Sequence, residues 1–224
     1  MRMQVAVIGL GPFGTSVASA LFQMGHHVLA LDIDAKKVQN ISTQVTHAIQ
    51  ADATNEAILR ELGISNFDVG IVTIGSTVEN SVLITILLKK LGIRHVIARA
   101  GNELHGSILE KIGADRVVYP EREMGTRTAH GISLRDIIDY IPMGRRYGVV
   151  KLEAPPSFAG QSLSELGFGP GGKKGVAVLL IQREQENEVI VTPSRSETIH
   201  GHDMLILAGD DDDIEKVLLD SRLQ

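Results

Sequence analysis

An apolar run near the start of the sequence leads directly into a spaced glycine motif. Val5–Ile8 precede Gly9-x-Gly11-x-x-Gly14, a stretch of helical pattern follows, and a second apolar run ends on Asp32, 18 residues after the third glycine. A strand, a glycine turn, a helix and a second strand in this order form a parallel strand–helix–strand unit. The motif therefore predicts an α/β fold built on a parallel sheet.

Each glycine of this motif, and Asp32 after it, has a physical role in binding a nucleotide. Gly9 permits the tight turn, Gly11 has no Cβ to keep a phosphate away from the backbone, and Gly14 lets the helix pack close to the strand. The free N–H groups at the helix start then face an anion. Asp32 can accept hydrogen bonds from ribose hydroxyls, which suits a free 2′-hydroxyl and disfavours NADP. The motif predicts adenine-nucleotide binding.

Composition excludes several other classes of protein. The 224 residues carry a net charge of −5 without a Lys/Arg cluster, which argues against nucleic acid as a partner. There is no cysteine, so disulfides, thiolate metal sites and cysteine nucleophiles are excluded. No apolar run approaches the roughly 20 residues of a membrane span, and no signal-peptide pattern precedes the first strand. We expect a cytoplasmic protein.

The first half of the chain alternates between strand-type and helix-type segments. Six β/α units with short connections predict a Rossmann-like, doubly wound parallel sheet. The predicted strands are 4–8, 28–32, 46–51, 69–74, 95–99 and 116–119, and the predicted helices are 12–24, 34–43, 54–62, 78–91 and 103–112.

The helix predicted at 78–91 is apolar on most of its surface. Such a helix is usually buried on two sides. It either lies entirely under the sheet or also packs against a second subunit, and the small polar face favours the second alternative.

The pattern changes in the second half. A further helix outside the sheet is predicted over 121–141, from apolar residues at helical spacing. Beyond about 147 the sequence predicts a small α+β C-terminal lobe, with strands at 147–152, 175–183, 188–192 and 204–208 and a closing helix at 211–219. The predicted division is an N-terminal lobe at 1–120, a crossover helix and linker at 121–146, and a C-terminal lobe at 147–224.

Ligands of such sheets bind outside the carboxyl ends of the strands, so the residues at those ends are the candidate binding residues. Asp52 could instead cap a helix starting at 54, Gly75 could serve a plain turn, and Arg99 could contact either phosphate or a structural carboxylate. The candidates at the ends of the later strands are Asp32, Ile33, Asp34, Asp52, Ala53, Thr54, Ile74, Gly75 and Arg99.

Catalytic machinery is hard to find. A hydride-transferring enzyme needs a general acid over a substrate pocket, but the eight histidines are scattered along the chain, and the pairs His26-His27 and His200-x-His202 lie in a predicted loop and a predicted turn. The acidic run Asp210–Asp213 resembles a cation site, but it is more typical of a helix start, where carboxylates favour the positive end of the dipole. A small NAD-dependent oxidoreductase and a stand-alone nucleotide sensor remain as alternative functions.

The whole chain, over about residues 3–220, resembles the RCK domains of bacterial potassium uptake systems, the regulatory ring subunits of Ktr and Trk type. The stretch from 111 to 125 is much more specific than the glycine motif. The similar segments are VIGLGPFG at 7–14, LALDID at 29–34, ADAT at 51–54, VTIG at 72–75 and KIGADRVVYPEREMG at 111–125.

This resemblance implies a cytoplasmic ligand-sensing ring and not an enzyme. Its N-terminal lobes would pair into dimers that assemble into an octameric ring beneath a membrane potassium channel or transporter subunit, at the inner membrane. Exchange of the bound nucleotide would change the shape of the ring and so the ion pathway. Whether the second lobe binds a ligand of its own stays open.

The resemblance also implies a role for individual residues. The phosphate loop would comprise Gly9, Gly11, Phe13 and Gly14; the ribose and adenosine contacts would be Asp32 and Asp34; the adenine side would be Asp52 and Thr54; and Arg99 would be a basic phosphate contact.

Two further positions decide which ligand is expected. Glu121 matches an acidic residue near the dimer interface that helps to hold a cation by the phosphates, and a hard divalent cation would suit it. ATP-sensing members often carry arginine where this chain has Pro12, which offers neither charge nor N–H. This departure weakens discrimination of ATP from ADP and leaves room for NAD(H). We therefore expect ADP/ATP as the ligand, with NAD(H) as the alternative.

Overall fold

The computed structural model describes residues 2–75, 77–133, 137–144, 146–169, 172–183 and 187–220. Within these ranges, no helix combines the length and the apolar character needed to cross a membrane. Contacts divide the chain into two compact units, Met1–Arg122 and Glu123–Gln224.

The first unit contains a six-stranded sheet in which every pair of neighbours is parallel, in the order β3-β2-β1-β4-β5-β6. The strand order reverses direction between β1 and β4, which is the switch point where such sheets bind ligands. The predicted parallel sheet is confirmed. Its strands are β1 (Gln4–Ile8), β2 (His27–Asp32), β3 (His47–Gln50), β4 (Val69–Val72), β5 (His95–Arg99) and β6 (Arg116–Val118).

Five helices connect these strands. Asp34, Asn55 and Asn102 cap three of them, because each side chain accepts a hydrogen bond from a backbone N–H two or three residues later. The alternative that Asp52 caps the third helix is therefore wrong, since that helix begins after Asn55. The helices are α1 (Pro12–Gln23), α2 (Ala35–Ile41), α3 (Glu56–Glu61), α4 (Val78–Lys90) and α5 (Glu103–Lys111), and a short 3-10 helix spans Ile64–Asn66.

The central strands are apolar between their ends because both faces of the sheet are covered. In β1, Ala6 and Ile8 belong to one buried cluster, whereas Val5 and Val7 belong to another. Neighbouring residues of a strand point to opposite faces, so the two clusters are the cores above and below the sheet.

The apolar helix α4 is only partly covered. Ile84 and Leu88 are buried in the core, but Val78, Leu83 and Ile86 are each about two-fifths exposed. Packing against the sheet is thus confirmed for one face of α4. The predicted contact of its other face with a second subunit stays a prediction.

The second unit contains a five-stranded antiparallel sheet in the order β10-β9-β11-β8-β7. The predicted α+β lobe is confirmed, with one strand more than the sequence pattern indicates. Helix α6 (Pro120–Ser133) starts at the end of the first unit. The elements that follow it are β7 (Ile137–Pro142), β8 (Tyr147–Glu153), a 3-10 helix at Pro156–Phe158, β9 (Val176–Arg183), β10 (Glu188–Val191), β11 (Met204–Asp210) and α7 (Asp211–Asp220).

The helix predicted over 121–141 is wrong in its last part. The helix α6 ends at Ser133, residues 134–136 lie outside the described residues, and 137–142 form the edge strand β7. Ile137 and Tyr140 are buried, with a register shift between Ile137 and Asp139. Pairing with β8 decides this segment, because isoleucine fits a pleated, half-buried surface at least as well as a helix.

A buried arginine ties the strands of the second unit together. Arg183 is 9% exposed, and its Nη1 and Nη2 donate to Glu188 Oε2 at 2.9 Å and to Glu197 Oε1 at 2.7 Å. Its Nε lies 3.6 Å from Oδ2 of Asp203, itself a buried carboxylate. This ion-pair cluster neutralises a charge that would be very costly to bury alone.

The acidic run at the end of β11 serves the start of α7, as the sequence favours. Asp211 accepts a hydrogen bond from the Tyr140 hydroxyl at 2.9 Å, and Asp212 pairs with Arg146 at 2.6 Å. Among the described residues, no group of three or more histidine, aspartate or glutamate side chains is arranged to hold a metal ion.

Candidate functional site

A cleft of about 560 Å³ lies at the carboxyl edge of the parallel sheet. This volume falls in the range of small-molecule sites. Its walls come from residues at the ends of β1 to β5 and from the following helices. The lining residues are Ile8, Gly9, Gly11, Leu31, Asp32, Ile33, Lys37, Ala51, Asp52, Ala53, Thr54, Thr73, Ile74, Gly75, Thr77, Asn80, Ile84 and Arg99.

The glycine turn forms the floor of the cleft between β1 and α1. Gly9 has φ +99°, a conformation that other residues rarely adopt. A Cβ at Gly14 would overlap the carbonyl oxygen of Gly9, whereas a Cβ at Gly11 would meet nothing within 4 Å. No side chain caps the first turn of α1. The turn therefore leaves open space beside uncapped backbone N–H groups, which is what an anionic group requires.

Thr73 holds this turn in place, and sequence reasoning missed it. Its buried hydroxyl lies 3.0 Å from the carbonyl oxygen of Ile8 and 2.5 Å from that of Gly9. A buried hydroxyl with a backbone acceptor satisfies both groups and fixes the carbonyl direction. The signal available in the sequence is a β-branched hydroxyl residue directly after the apolar strand β4.

Asp32 is buried in the cleft, and its carboxylate accepts hydrogen bonds from two backbone N–H groups. Its Oδ2 accepts from the N–H of Leu10 at 2.7 Å, and its Oδ1 accepts from the N–H of Asp34 at 2.9 Å. The carboxylate thus joins the end of β2 to the glycine turn. It still offers acceptor capacity to a ligand, since a carboxylate has about four acceptor positions.

Asp52 and Thr54 form the wall beyond β3. Oδ1 of Asp52 accepts from the Thr54 hydroxyl at 2.6 Å and from the Thr54 N–H at 2.9 Å. These bonds lower the pKa of the exposed Asp52 carboxyl, the side-chain bond having the larger effect. The second oxygen of an ionised Asp52 is available to accept a hydrogen bond from an adenine amino group or a ribose hydroxyl.

Arg99 forms the opposite wall, packed over Gly75. A Cβ at Gly75 would overlap the guanidinium, with Arg99 Cζ only 2.5 Å away. Arg99 Nη2 lies 2.5 Å from Oε1 of Glu121, and Nη1 lies 3.4 Å from the carbonyl oxygen of Thr73. The interpretation of Gly75 as a plain turn is therefore incomplete, because its missing side chain makes room for Arg99.

The structure pairs Arg99 with a carboxylate, that of Glu121, and the same guanidinium can also contact a phosphate. Partial desolvation raises the pKa of Glu121, but the hydrogen bond and charge of Arg99 outweigh it, so the net shift is downward. Arg99 is thus held at the cleft by a carboxylate that is itself 62% exposed. A guanidinium with remaining N–H groups and one exposed partner can also bind an incoming phosphate.

Replacing Gly75 with alanine is expected to displace Arg99 without unfolding the protein. The added methyl group must push the guanidinium out of the cleft, since the far end of a side chain moves more easily than backbone. We expect the affinity for a nucleoside triphosphate such as ATP to fall about tenfold, because one charged hydrogen bond is lost. Isothermal titration measures this, with far-UV circular dichroism to verify folding. Unchanged affinity would show that Arg99 does not contact the ligand.

The structure brings ten of the predicted site residues to the cleft. Of the others, Asp34 serves as the cap of α2, Pro12, Phe13 and Gly14 belong to the first turn of α1, and Glu121 contacts Arg99 without lining the cleft itself. The predicted residues that line the cleft are Gly9, Gly11, Asp32, Ile33, Asp52, Ala53, Thr54, Ile74, Gly75 and Arg99.

Among the described residues, Glu121 is paired with Arg99 and not with other potential cation ligands. Both of its carboxylate oxygens contact Arg99, and the described residues contain no cluster of three or more potential ligands around it. A cation usually takes several oxygen ligands. Those ligands would have to come from a bound phosphate or a second copy of the chain.

His105 is a buried imidazole beside this wall, at the start of α5. It is 3% exposed, its Nδ1 accepts from the N–H of Gly101 at 3.4 Å, and its Nε2 has no hydrogen-bond partner among the described residues. Burial, together with the charge of Arg99, lowers the pKa of His105. The imidazole is therefore neutral in the folded protein at pH 7.

We expect the first unit to lose stability as the pH falls below about 6.5, where an unfolded histidine takes up a proton that folded His105 resists. The contribution of His105 is complete above that pH and is lost progressively below it. His105→Asn keeps an acceptor for the Gly101 N–H and cannot be protonated. Urea unfolding of both proteins at about pH 7.5 and about pH 5.5 measures the difference. An equal loss of stability in the variant would assign the effect to other groups.

The chain is similar to known proteins over nearly its whole length. The chain matches the TrkA-N domain over residues 5–120 and the TrkA-C domain over residues 149–219. It is 40% identical over 216 residues to the Ktr system potassium uptake protein C of Bacillus subtilis, covering 96% of each chain. It is 38% identical over 213 residues to the Ktr system potassium uptake protein A of the same organism, covering 95% of this chain and 94% of the relative.

A solved structure shares the fold at low sequence identity. The GsuK channel bound to NAD superposes with a TM-score of 0.64 at 16% identity, over 97% of this chain and 40% of that one. The chain therefore spans less than half the length of this structural neighbour. At this identity the likeness supports the arrangement of the elements.

Proposed function

This chain belongs to the family of Ktr and Trk potassium uptake proteins built from TrkA-N and TrkA-C domains, and on that premise we propose that it is a nucleotide-sensing regulatory subunit of a membrane potassium channel or transporter. The observation that carries the proposal is the similarity to two Ktr proteins over nearly the whole length of both chains. The protein acts from the cytoplasmic side, bound peripherally at the inner membrane through its partner, and it catalyses no reaction.

The geometry of the cleft favours ADP and ATP as ligands. Neighbouring strands lie about 4.8 Å apart, so the edge from β2 to β5 extends about 14 Å. In our proposal the adenosine lies between Asp32 and Asp52, and the diphosphate crosses the open backbone at Gly11. The terminal phosphate then reaches Arg99, whose positive charge suits a third phosphate better than an uncharged group.

NAD(H) is the second candidate ligand. Pro12 is exposed at the start of α1 and provides no charge or N–H for a terminal phosphate. The GsuK channel, which shares this fold, was solved with NAD. A nicotinamide riboside would occupy the same end of the cleft as the third phosphate, so the two ligands exclude each other.

The surfaces that one chain leaves uncovered support the proposed assembly. The exposed apolar residues of α4 favour pairing of two first units, as the resemblance to RCK domains implies. In the proposed octameric ring, four such dimers dock beneath the membrane subunit. Two symmetry-related Glu121 carboxylates and the ligand phosphates would then supply the oxygen atoms that a divalent cation needs.

The proposed mechanism is a shift between two ring shapes. The third phosphate of ATP competes with Glu121 for Arg99 and adds negative charge at this end of the dimer cleft. ADP has no phosphate that reaches Arg99. A ligand can shift such an equilibrium only by its difference in affinity for the two shapes. Discrimination of ATP from ADP therefore depends on the Arg99 end of the cleft.

Titration of the nucleotide-free, full-length protein tests the proposal. We expect ADP and ATP to bind, with Mg²⁺ or Ca²⁺ strengthening ATP alone and Glu121→Gln abolishing that effect. Small-angle scattering of the same samples should show an oligomer whose shape depends on the nucleotide. Preference for NADH would select the second candidate. Binding without any change of shape would contradict regulation by a ring and favour the stand-alone sensor, and hydride exchange with a carbonyl substrate would favour an oxidoreductase.

A further inference from the structure

Lys37 is a cleft residue that neither the glycine motif nor the strand ends explain. It lies in α2, it lines the cleft, and its Nζ is 3.4 Å from Oδ2 of Asp32. Its side chain is 45% exposed, whereas that of Asp32 is 7% exposed. The ammonium group is therefore the solvent-facing member of this ion pair, at the end of the cleft where a ribose is expected.

The remaining acceptor capacity of Asp32 limits what it can do alone. Backbone N–H groups of Leu10 and Asp34 already occupy one position on each carboxylate oxygen, and Lys37 takes a third. About one acceptor position of the carboxylate is then left. A ribose presents two neighbouring hydroxyl groups, so Asp32 can accept from one of them and the other needs a different partner.

We propose that Lys37 is a second ribose-binding residue, donating from Nζ to one hydroxyl oxygen while Asp32 accepts from the other hydroxyl. This rests on the proposed function, because it assumes that a nucleotide occupies the cleft. A hydroxyl group both donates and accepts, so the cis-diol of a ribose matches a carboxylate and an ammonium group side by side. The pair also compensates the buried charge of Asp32.

Lys36 provides a matched control for Lys37. It carries the same charge on the same helix, but its side chain does not line the cleft. Replacing either lysine with methionine keeps the apolar stem and removes one charge and its donors. Any general effect of net charge on a polyphosphate ligand therefore appears equally in both variants.

The experiment is calorimetric titration of the wild-type chain, Lys37→Met and Lys36→Met with ADP, 2′-deoxy-ADP and 3′-deoxy-ADP. We expect Lys37→Met to weaken ADP binding about tenfold, as the loss of a charged hydrogen bond implies. One of the two deoxy analogues should bind wild type and Lys37→Met equally, because it lacks the hydroxyl that Lys37 contacts. Lys36→Met should behave as wild type with all three.

Two results would overturn this proposal alone. One is that Lys37→Met, shown by its thermal unfolding to be folded, binds ADP as tightly as wild type. The other is that it weakens ADP and both deoxy analogues by the same factor, which would indicate a structural or long-range charge effect. Failure of the wild-type chain to bind any nucleotide would instead overturn the proposed function, and this inference with it.

Discussion

Replacing Gly14 with alanine is expected to destabilise the first unit by about 3 kcal/mol, the upper end of what overpacking usually costs. The added Cβ would overlap the carbonyl oxygen of Gly9 and would lie 2.5 Å from Oγ1 of Thr73. The obstacle is backbone in a turn that Thr73 already fixes, so no side chain can rotate away to relieve it. Strand β1 and helix α1 must separate, and both belong to the central part of the fold.

Gly11→Ala is the matched control, and its effect should be the opposite. The new methyl group meets nothing within 4 Å, and the backbone of Gly11 is extended, with φ −70° and ψ −179°. Because glycine precedes the first turn of α1 more favourably than alanine, we expect a loss of stability of no more than about 1 kcal/mol. We also expect a large loss of nucleotide affinity, because the methyl group occupies the space that a phosphate needs. Hydrogen exchange read by mass spectrometry measures stability locally, and the peptides of the second unit provide an internal reference.

The pair of variants separates folding from binding. If Gly14→Ala kept the protection of β1 and β4, the turn would be less rigid than its packing indicates. If Gly11→Ala bound nucleotide normally, the phosphates would have to cross the cleft elsewhere.

The second large effect is expected in the other unit. Arg183→Met should destabilise the antiparallel lobe by about 3–5 kcal/mol, because removing one member of a buried ion-pair cluster leaves its partners uncompensated. Asp203 carries most of this cost, since its carboxylate is buried and lies 3.6 Å from Nε of Arg183, with the N–H of His200 donating to the same oxygen. Exchange should accelerate in β9, β10 and β11, and peptides of the first unit should be unaffected.

Arg146→Met is the control for this variant. Arg146 and Asp212 are both about two-thirds exposed, so their ion pair is worth less than about 1 kcal/mol. Adding Asp203→Asn to Arg183→Met should restore part of the lost stability by removing the unpaired charge. A loss below about 1 kcal/mol in Arg183→Met would show that water reaches the cluster and compensates it.

The parallel sheet could be predicted from the sequence because its signals agree. Apolar runs that are buried on both faces, helices between them and glycines directly after the helix ends all favour the same architecture. The segment 137–142 lacked such agreement. Its isoleucines satisfy a helical spacing as well as a strand, and the deciding partner, β8, is a separate strand whose pairing the spacing alone does not reveal.

The site residues that lie at strand ends could be predicted from the sequence. Those whose side chains reach the cleft from neighbouring helices could not. Residues directly after the strands lie at the cleft because all parallel strands end on the same edge. Lys37 and Asn80 reach the cleft from within or near the first turns of helices, so their direction depends on packing that sequence spacing does not give. The pairing of Arg99 with Glu121 joins residues 22 positions apart across β6, and only the folded sheet shows it.

The walls of the cleft are contributed by five strand ends spread from Ile8 to Arg99. The first strand of the chain lies in the middle of the sheet, so none of the cleft is complete until β1 has been inserted between β2 and β4. A ligand can therefore bind only to the fully assembled unit, and by mass action a ligand at a hundred times its dissociation constant adds about 2.7 kcal/mol to that unit. The nucleotide supply of the cell would then determine the lifetime of the sensor against proteolysis as well as its signal.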